Sequence, residues 1–168
     1  MQELLDRLYV LLQSVYPHSD VEVIKPRNLM YHDIKQVVDE GKLIDLPVKI
    51  MTPNVLGHCH ALTAYQFMLD SNIQIYNGFG LVYEEIVADQ WYQHSFATKD
   101  GYILEPTNWI RDKYFGAPLT TYQTHVFVYN EINNLLEIAD EYNLDKDLIL
   151  RYQKMFQLLK IPKYDEIP

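Results

Sequence analysis

The segment from Cys59 to Leu69 most constrains the fold, because it is apolar almost all the way round a helix. The residues responsible are Ala61, Leu62, Ala64, Tyr65, Phe67, Met68 and Leu69. A helix without a polar face is typical of the centre of a domain rather than of its surface. Pro53 and Gly57 mark a loop immediately before it. The pattern therefore predicts a buried central helix with Cys59 at or next to its first residue.

Helical periodicity is also present near both ends of the chain. The predicted helices cover residues 2–15, 27–40, 131–141 and 145–159. Asn28 and Asp145 are of a residue type that caps a helix N-terminus by accepting a backbone hydrogen bond, and we predict that role for both. The C-terminal helical segment is therefore expected at about residues 130–160.

Strand-like segments occupy the middle of the chain. They cover residues 46–50, 73–76, 80–86, 90–98, 102–105 and 122–129, and residues 77–80 separate the second from the third. Lys99-Asp100-Gly101 is a hairpin signal. Helices, then an antiparallel sheet, then helices predict one α+β domain over residues 1–168. Its core is expected at about residues 46–129.

The charge balance disfavours several kinds of partner. The chain carries 14 Lys and Arg against 23 Asp and Glu, a formal net charge of -9. Nucleic acids and anionic membrane surfaces would be repelled. No apolar run approaches the ~20 residues of a membrane span, and the N-terminus lacks the basic region of a signal peptide. We expect a cytoplasmic protein that binds neither nucleic acid nor membrane. Its many Asn, Ile, Lys and Tyr residues are typical of an AT-rich genome, such as that of a bacterium or phage.

Cys59 is the single cysteine, so an internal disulfide is impossible and the thiol is a candidate nucleophile. The ordinary alternative is a small buried hydrophobic residue, which is the common state of a free cysteine. The start of a helix favours the thiolate, because unpaired backbone N–H groups and the positive end of the helix dipole stabilise negative charge. The same N–H groups can stabilise an oxyanion formed beside the sulfur.

His94 and Glu105 are the candidates for a base and for the acceptor that orients it. They lie on the two strands of the predicted hairpin. If Asp100 and Gly101 form the turn, Glu105 is the diagonal neighbour of His94; if the turn is one residue earlier, the two lie directly opposite. Both registers place them on one face, ~5–8 Å apart. The alternatives are a half-buried structural histidine and a surface carboxylate at a strand end.

Four segments in order carry a resemblance to a known family. They are Gly57-His58-Cys59, Tyr76-Asn77-Gly78-Phe79-Gly80, His94-Ser95-Phe96 and Leu104-Glu105-Pro106-Thr107-Asn108. They resemble the Gly-x-Cys helix opening, the Gly-aromatic strand, the His-Ala-Trp strand and the Asp-Pro-Thr-Asn ending of the transglutaminase-like superfamily, which has a papain-like core. The likeness covers residues 54–109. It departs from the family at Ser95-Phe96 and at Glu105, which replaces Asp.

The resemblance implies a fold and an activity. The fold is a papain-like or transglutaminase-like core, in which a Cys-bearing central helix packs on an antiparallel sheet. The activity is cysteine-dependent acyl transfer of the peptidase, amidase or transglutaminase type, with Cys59, His94 and Glu105 as a triad and a thioacyl intermediate. The substrate would be a protein, a peptide or a small amide, and no cofactor is implied. The superfamily also has members without catalysis, so a binding protein on the same fold is the alternative.

Four further residues are candidates for lining the cleft. Asn54, five residues before Cys59, is a candidate oxyanion-hole amide by analogy with papain-like sites, although a turn residue is an equal alternative. His58 and His60 flank the cysteine, and Trp109 follows the acid closely. A zinc site on the His-Cys-His run is disfavoured, because consecutive helical residues point ~100° apart.

Overall fold

The computed structural model of the chain describes residues 2–17, 21–23, 31–52, 57–83 and 89–163. Helices and strands are both present, which confirms the α+β class. The helices are α1 (Gln2–Val15), α2 (Tyr31–Glu40), α3 (Cys59–Leu69), α4 (Thr121–Ile138) and α5 (Lys146–Leu158). The strands are β1 (Val21–Val23), β2 (Lys42–Ile44), β3 (Val48–Ile50), β4 (Gln74–Val82), β5 (Asp89–Lys99), β6 (Tyr102–Glu105) and β7 (Lys113–Pro118).

All seven strands belong to one sheet, and one edge of β5 pairs with two different strands. The order is β2-β7-β4-β5-β6-β3, and β1 pairs with β5 outside this path. One edge of β5 pairs with β4 along its length. The other edge pairs with β1 over residues 89–91 and with β6 over residues 97–99. Between them, residues 92–96 have no strand partner on that edge among the described residues.

Helix α3 is the buried central helix that the apolar pattern predicts. Its buried residues are Ala61, Leu62, Thr63, Ala64, Gln66, Phe67 and Met68. They pack with Phe127 of α4 and Phe156 of α5, and with Ile75 and Ala97 of the sheet. The Thr63 hydroxyl donates a 3.0 Å hydrogen bond to the backbone oxygen of Ser95. The helix is therefore fixed to β5 one residue away from His94.

The two faces of the sheet have different roles. Ile75 and Ala97 are cross-strand partners beneath α3. On the same alternating positions, Phe79, Leu81 and Trp91 pack with α1 and α2 through Leu4, Leu8, Leu12, Ile34 and Val37. The positions between them face the other way and form a small cluster of Tyr76, Phe96, Ile103 and Tyr114. Because side chains alternate along a strand, His94 belongs to this second face.

Strand β4 corrects one prediction. Residues 77–80 do not separate two strands, because β4 runs without a break from Gln74 to Val82. Gly78 is required by close approach to β7: a Cβ there would lie 1.9 Å from the backbone oxygen of Phe115. This glycine therefore marks a tight contact between strands instead of an interruption of the strand. The end of the predicted strand at residues 84–86 lies outside the described residues.

The predicted strand at residues 122–129 is also wrong, because these residues belong to α4. Its β-branched and aromatic residues favour a strand. Two helical signals override this preference. Thr120 and Gln123 form a capping box at the helix start, and buried positions recur every three to four residues at Thr124, Phe127, Val128, Ile132, Leu135 and Ile138. The helical segment therefore begins at Thr121, earlier than the expected residue 130.

Other elements agree with expectation or add to it. Helix α1, strand β3 and the β5–β6 hairpin are confirmed, and Asp145 caps α5 by accepting from Leu148 N at 2.9 Å. The helix predicted over residues 27–40 is described from Tyr31, and Asn28 lies outside the described residues. The short strands β1 and β2 and the strand β7 were not predicted. None of the described helices is both long and apolar enough to cross a membrane.

Candidate active site

Cys59 is the first residue of α3 and is half-buried. Two consecutive left-handed residues turn the chain into the helix: Gly57 has φ 77° and His58 has φ 55°. The first helical hydrogen bond runs from Leu62 N to the His58 oxygen, and the His58 side chain makes no cap hydrogen bond. The N–H groups before Leu62 therefore lack intrahelical partners. They provide hydrogen-bond donors directly beside the sulfur.

We expect replacement of Gly57 by alanine to lower the free energy of unfolding by about 1 kcal/mol, because a Cβ is strained at positive φ. Within the described part of the chain nothing lies within 4 Å of the added Cβ, so the expected loss comes from the backbone conformation. Gly101, at φ 80° and equally open, is a matched control. Chemical denaturation should show similar losses for the two variants, and Gly57→Ala should also slow alkylation of Cys59 relative to the wild type. Unchanged alkylation in Gly57→Ala would contradict the idea that this turn aims the thiol.

His94 and Glu105 meet through the first of the two hairpin registers. Asp100 and Gly101 form the turn, both with positive φ, and Lys99 pairs with Tyr102. Glu105 therefore approaches His94 diagonally, and its Oε2 lies 2.9 Å from His94 Nε2. Both side chains are 0% exposed. The surface-carboxylate reading of Glu105 is therefore wrong.

Glu105 is surrounded by donors. Its Oε1 accepts from Thr107 N at 3.1 Å and from Thr107 Oγ1 at 2.7 Å, and its Oε2 also accepts from the Tyr114 hydroxyl at 2.7 Å. Burial alone would raise the pKa of this carboxyl. His94 and the hydroxyl donors outweigh burial and lower the pKa below its ordinary value. Glu105 is therefore held as a carboxylate that fixes the His94 ring.

The other nitrogen of that ring is the one left for the thiol. His94 Nδ1 is buried and has no hydrogen-bond partner among the described residues. Cys59 lies one helical turn before Thr63, and the Thr63 hydroxyl is bonded to the backbone oxygen of Ser95, next to His94 in β5. The side chains of Cys59 and Thr63 therefore lie on the same face of α3. Burial opposes both charges. The electrostatic attraction between thiolate and imidazolium nevertheless contributes to a pKa of Cys59 well below its usual range and raises that of His94.

His60 is a second histidine at the sulfur. Its Nδ1 lies 3.3 Å from Cys59 Sγ, and its ring packs near Phe127, with centroids 6.2 Å apart. After the opposing effect of burial, the charge of His60 is the largest influence on the pKa of Cys59, and it lowers that pKa. His60 was predicted to line the cleft, and in the structure it contacts the thiol directly.

The remaining candidates contact other side chains or lie outside the described residues. The exposed His58 has its ring 6.0 Å from that of Tyr142. Trp109 is 40% exposed, and its ring centroid is 6.0 Å from that of Tyr92. Asn54 lies outside the described residues. Among the residues that are described, no group of three or more His, Cys, Asp or Glu is arranged to hold a metal ion.

The departures from the family pattern at Ser95-Phe96 have structural explanations. Ser95 Oγ donates to Asn77 Oδ1 at 2.7 Å, in a buried contact between β5 and β4. Phe96 is fully buried and stacks on Tyr76, with ring centroids 5.3 Å apart. These two residues hold the strand that carries His94, and neither takes the place of Cys59, His94 or Glu105.

Two residues of the site had no role in the sequence-based prediction. Tyr114 donates to Glu105 and receives a 3.1 Å hydrogen bond from Arg111 N. Arg111 itself is nearly buried beside Trp109. Both belong to β7 or to the segment leading into it, and no sequence pattern indicated that this strand pairs with β4. The sequence signal that could have pointed to them is the motif ending at Asn108, which lies just before them in the chain.

No protein-family model matches this chain, and no curated protein or solved structure is significantly similar to it.

Proposed function

We propose that this protein is a cysteine-dependent acyl-transfer enzyme with Cys59 as nucleophile, His94 as base and Glu105 as the orienting carboxylate. One observation carries the proposal: a fully buried Glu105 holds His94 by Nε2, and Nδ1 is left for the thiol at the start of α3. A structural histidine would be expected to satisfy both nitrogens. The ring is instead fixed by one side only, as the base of a nucleophilic site is.

The transglutaminase-like or papain-like core is part of the same proposal. A buried helix that begins at the nucleophile packs on a sheet, in which the base and the carboxylate lie on the adjacent strands β5 and β6. The chain order of Cys, His and acid agrees with that superfamily. We therefore assign a protein, a peptide or a small amide as substrate, with no cofactor in the chemical steps.

The chemistry starts from a thiolate–imidazolium pair. The Cys59 thiolate attacks the carbonyl carbon, a C–S bond forms, and the π electrons move to oxygen, where backbone N–H groups at the helix start stabilise them. As the tetrahedral intermediate collapses, the bond to the leaving group breaks and His94 donates its Nδ1 proton to that group. Water or an amine then attacks the thioester and gives its proton to His94. Cys59 leaves as thiolate, and Glu105 keeps the ring in place throughout.

The proposal is tested by the pH dependence of Cys59 alkylation with iodoacetamide. A thiol of ordinary pKa is only about 0.3% ionised at pH 6. Because the pKa of Cys59 lies well below its usual range, we expect alkylation at pH 6 to be at least ~10-fold faster than that of a model thiol, after allowing for the weaker nucleophilicity of a low-pKa thiolate. Mass spectrometry of the intact protein measures the rate, and Cys59→Ala is the blank. A half-maximal rate at the pH of an ordinary thiol would refute the proposal.

A further inference from the structure

Arg111 is a buried cation that forms no ion pair with a carboxylate of the described residues. The residue is 9% exposed. Its guanidinium lies over the Trp109 ring, 4.4 Å from the centroid, and Nη1 donates to the Trp109 oxygen at 2.6 Å. Stacking on tryptophan stabilises a cation in part. Burying a charge without an anion is nevertheless unfavourable, so the site favours an anionic ligand.

The free edge of the Arg111 guanidinium is the edge formed by Nε and Nη2, to which a carboxylate binds best. Nε is buried without a hydrogen-bond partner, and within the described part of the chain Nη2 has none either. Together, the N–H groups of Nε and Nη2 form the fork to which a carboxylate binds through both oxygens. Gly80 lets the side chain lie flat on β4, because a Cβ there would be 2.5 Å from Arg111 Cγ.

Strand pairing places this edge close to His94. Gly78 pairs with His94, and Gly80 pairs with Tyr92. Cross-strand partners share a face, so Arg111, which covers Gly80, lies on the His94 face. Two residues along a strand span about 7 Å. An anion at Arg111 would therefore lie about that distance from the His94 position, measured along β5.

Hydrogen bonds also connect Arg111 to the triad. Arg111 N donates to the Tyr114 hydroxyl, which donates to Glu105. The half-exposed ring of Trp109 contacts both the guanidinium and Tyr92, and gives the site an aromatic rim. Arg111 also borders a cavity of about 70 Å³, but Asp45 and Asp112 line that cavity and disfavour an anion there. The free edge over β4 is therefore the better site.

We propose that Arg111 binds a carboxylate of the acyl donor, so that the enzyme acts on acidic peptides or amides. This proposal rests on the proposed function, because it names the substrate class of the same site. The chain as a whole has a net charge of -9 and repels anions at long range. A local cation beside the triad is therefore needed to select an acidic substrate over a neutral one.

The test measures binding separately from turnover, in full-length protein with Cys59→Ala. The probes are N-acetylglutamate α-amide and its neutral analogue N-acetylglutamine α-amide, at constant ionic strength. The chain has four arginines, so their side-chain Nε–H signals can be resolved by NMR and that of Arg111 assigned by its loss in Arg111→Lys. We expect the acidic probe to shift the Arg111 signal saturably and to bind at least ~10-fold more tightly than the neutral one. Equal affinities, or no saturable shift at Arg111, would overturn the proposal.

Two variants localise the effect, and backbone NMR spectra follow probe binding to both. Arg111→Lys keeps the charge and loses the fork, so the acidic probe should bind at least ~10-fold more weakly. Lys113→Gln removes a half-exposed cation two residues away. It should leave the affinity for the acidic probe within about twofold, because a charge that is screened by solvent contributes little. If Arg111→Lys does not fold, the comparison of the two probes on Cys59→Ala still decides the question. Fast alkylation of Cys59 without probe binding would overturn only the substrate class, whereas probe binding with an ordinary thiol would overturn only the catalytic role.

Discussion

Replacement of His94 by glutamine is expected to reduce acyl transfer by roughly 10²- to 10⁴-fold, because general acid–base catalysis typically contributes that much. In the proposed mechanism, the substitution removes the group that protonates the leaving group and that later accepts a proton from water. It also removes the positive charge that helps to hold the pKa of Cys59 low. Single-turnover release from a peptide thioester or an activated amide measures the effect, and Cys59→Ala gives the background rate.

His60 provides the control that separates proton transfer from thiolate stabilisation. It contacts the sulfur at 3.3 Å and lowers the pKa of Cys59 more than any other group does. His60→Gln should therefore move the alkylation profile of Cys59 to higher pH and leave much of the turnover above that pH. His94→Gln should reduce turnover at every pH. If the two variants lost turnover equally at high pH, His94 would not be the base.

Replacement of Glu105 by glutamine is expected to lower the free energy of unfolding by about 3 kcal/mol, because it removes one member of a buried charged network. The carboxylate accepts from His94, Tyr114 and Thr107, and an amide NH₂ in its place cannot accept. In a domain of this size the melting temperature should fall by roughly 10 °C. Alkylation of Cys59 should also slow, because the ring of His94 is no longer fixed.

The pH dependence of the free energy of unfolding tests whether the charge of Glu105 is the source of this stabilisation. The pKa of Glu105 is lower in the folded protein than in the unfolded chain. The unfolded chain therefore binds more protons in that range, and stability rises with pH. The advantage of the wild type over Glu105→Gln should be complete between about pH 5 and 6 and shrink as the pH falls below about 4. It should also shrink at higher pH as His94, whose pKa Glu105 helps to raise, loses its proton. Tyr114→Phe removes one donor and should lower the free energy of unfolding by only about 1.5 kcal/mol. An advantage that does not depend on pH would point to packing instead of charge.

Local signals in the chain were sufficient for part of the site. The apolar surround of α3 and the glycine before it placed Cys59 at a helix start, and the turn at Asp100 and Gly101 placed His94 and Glu105 on one face. Each of these features depends on neighbouring residues only, through periodicity or turn conformation. The wrong predictions arise from the same reliance on neighbouring residues, which do not report contacts with distant segments. Residues 77–80 were predicted to separate two strands, because the contact that requires Gly78 is with β7, which is distant in the chain.

Residues that act through distant contacts could not be predicted in the same way. Tyr114 reaches Glu105 because β7 pairs with β4, and β4 pairs with β5. Arg111 reaches the face of His94 because Gly80 leaves space over β4. Both depend on strand order, which an individual strand pattern does not encode. The same applies to the helix at residues 121–138, where a capping box and packing against α3 outweighed strand preference.

By itself, the sequence determined that Cys59 begins a buried helix and that His94 and Glu105 lie on one face of a hairpin in either of two registers, because helix periodicity and turn conformation are local properties. The tertiary structure decided the register, which nitrogen of His94 is occupied, how Glu105 remains charged in the interior, and that an Arg111 without an ion-pair partner among the described residues lies beside them. Those features depend on packing between segments far apart in the chain. The free energy of a buried charge depends on what surrounds it in three dimensions.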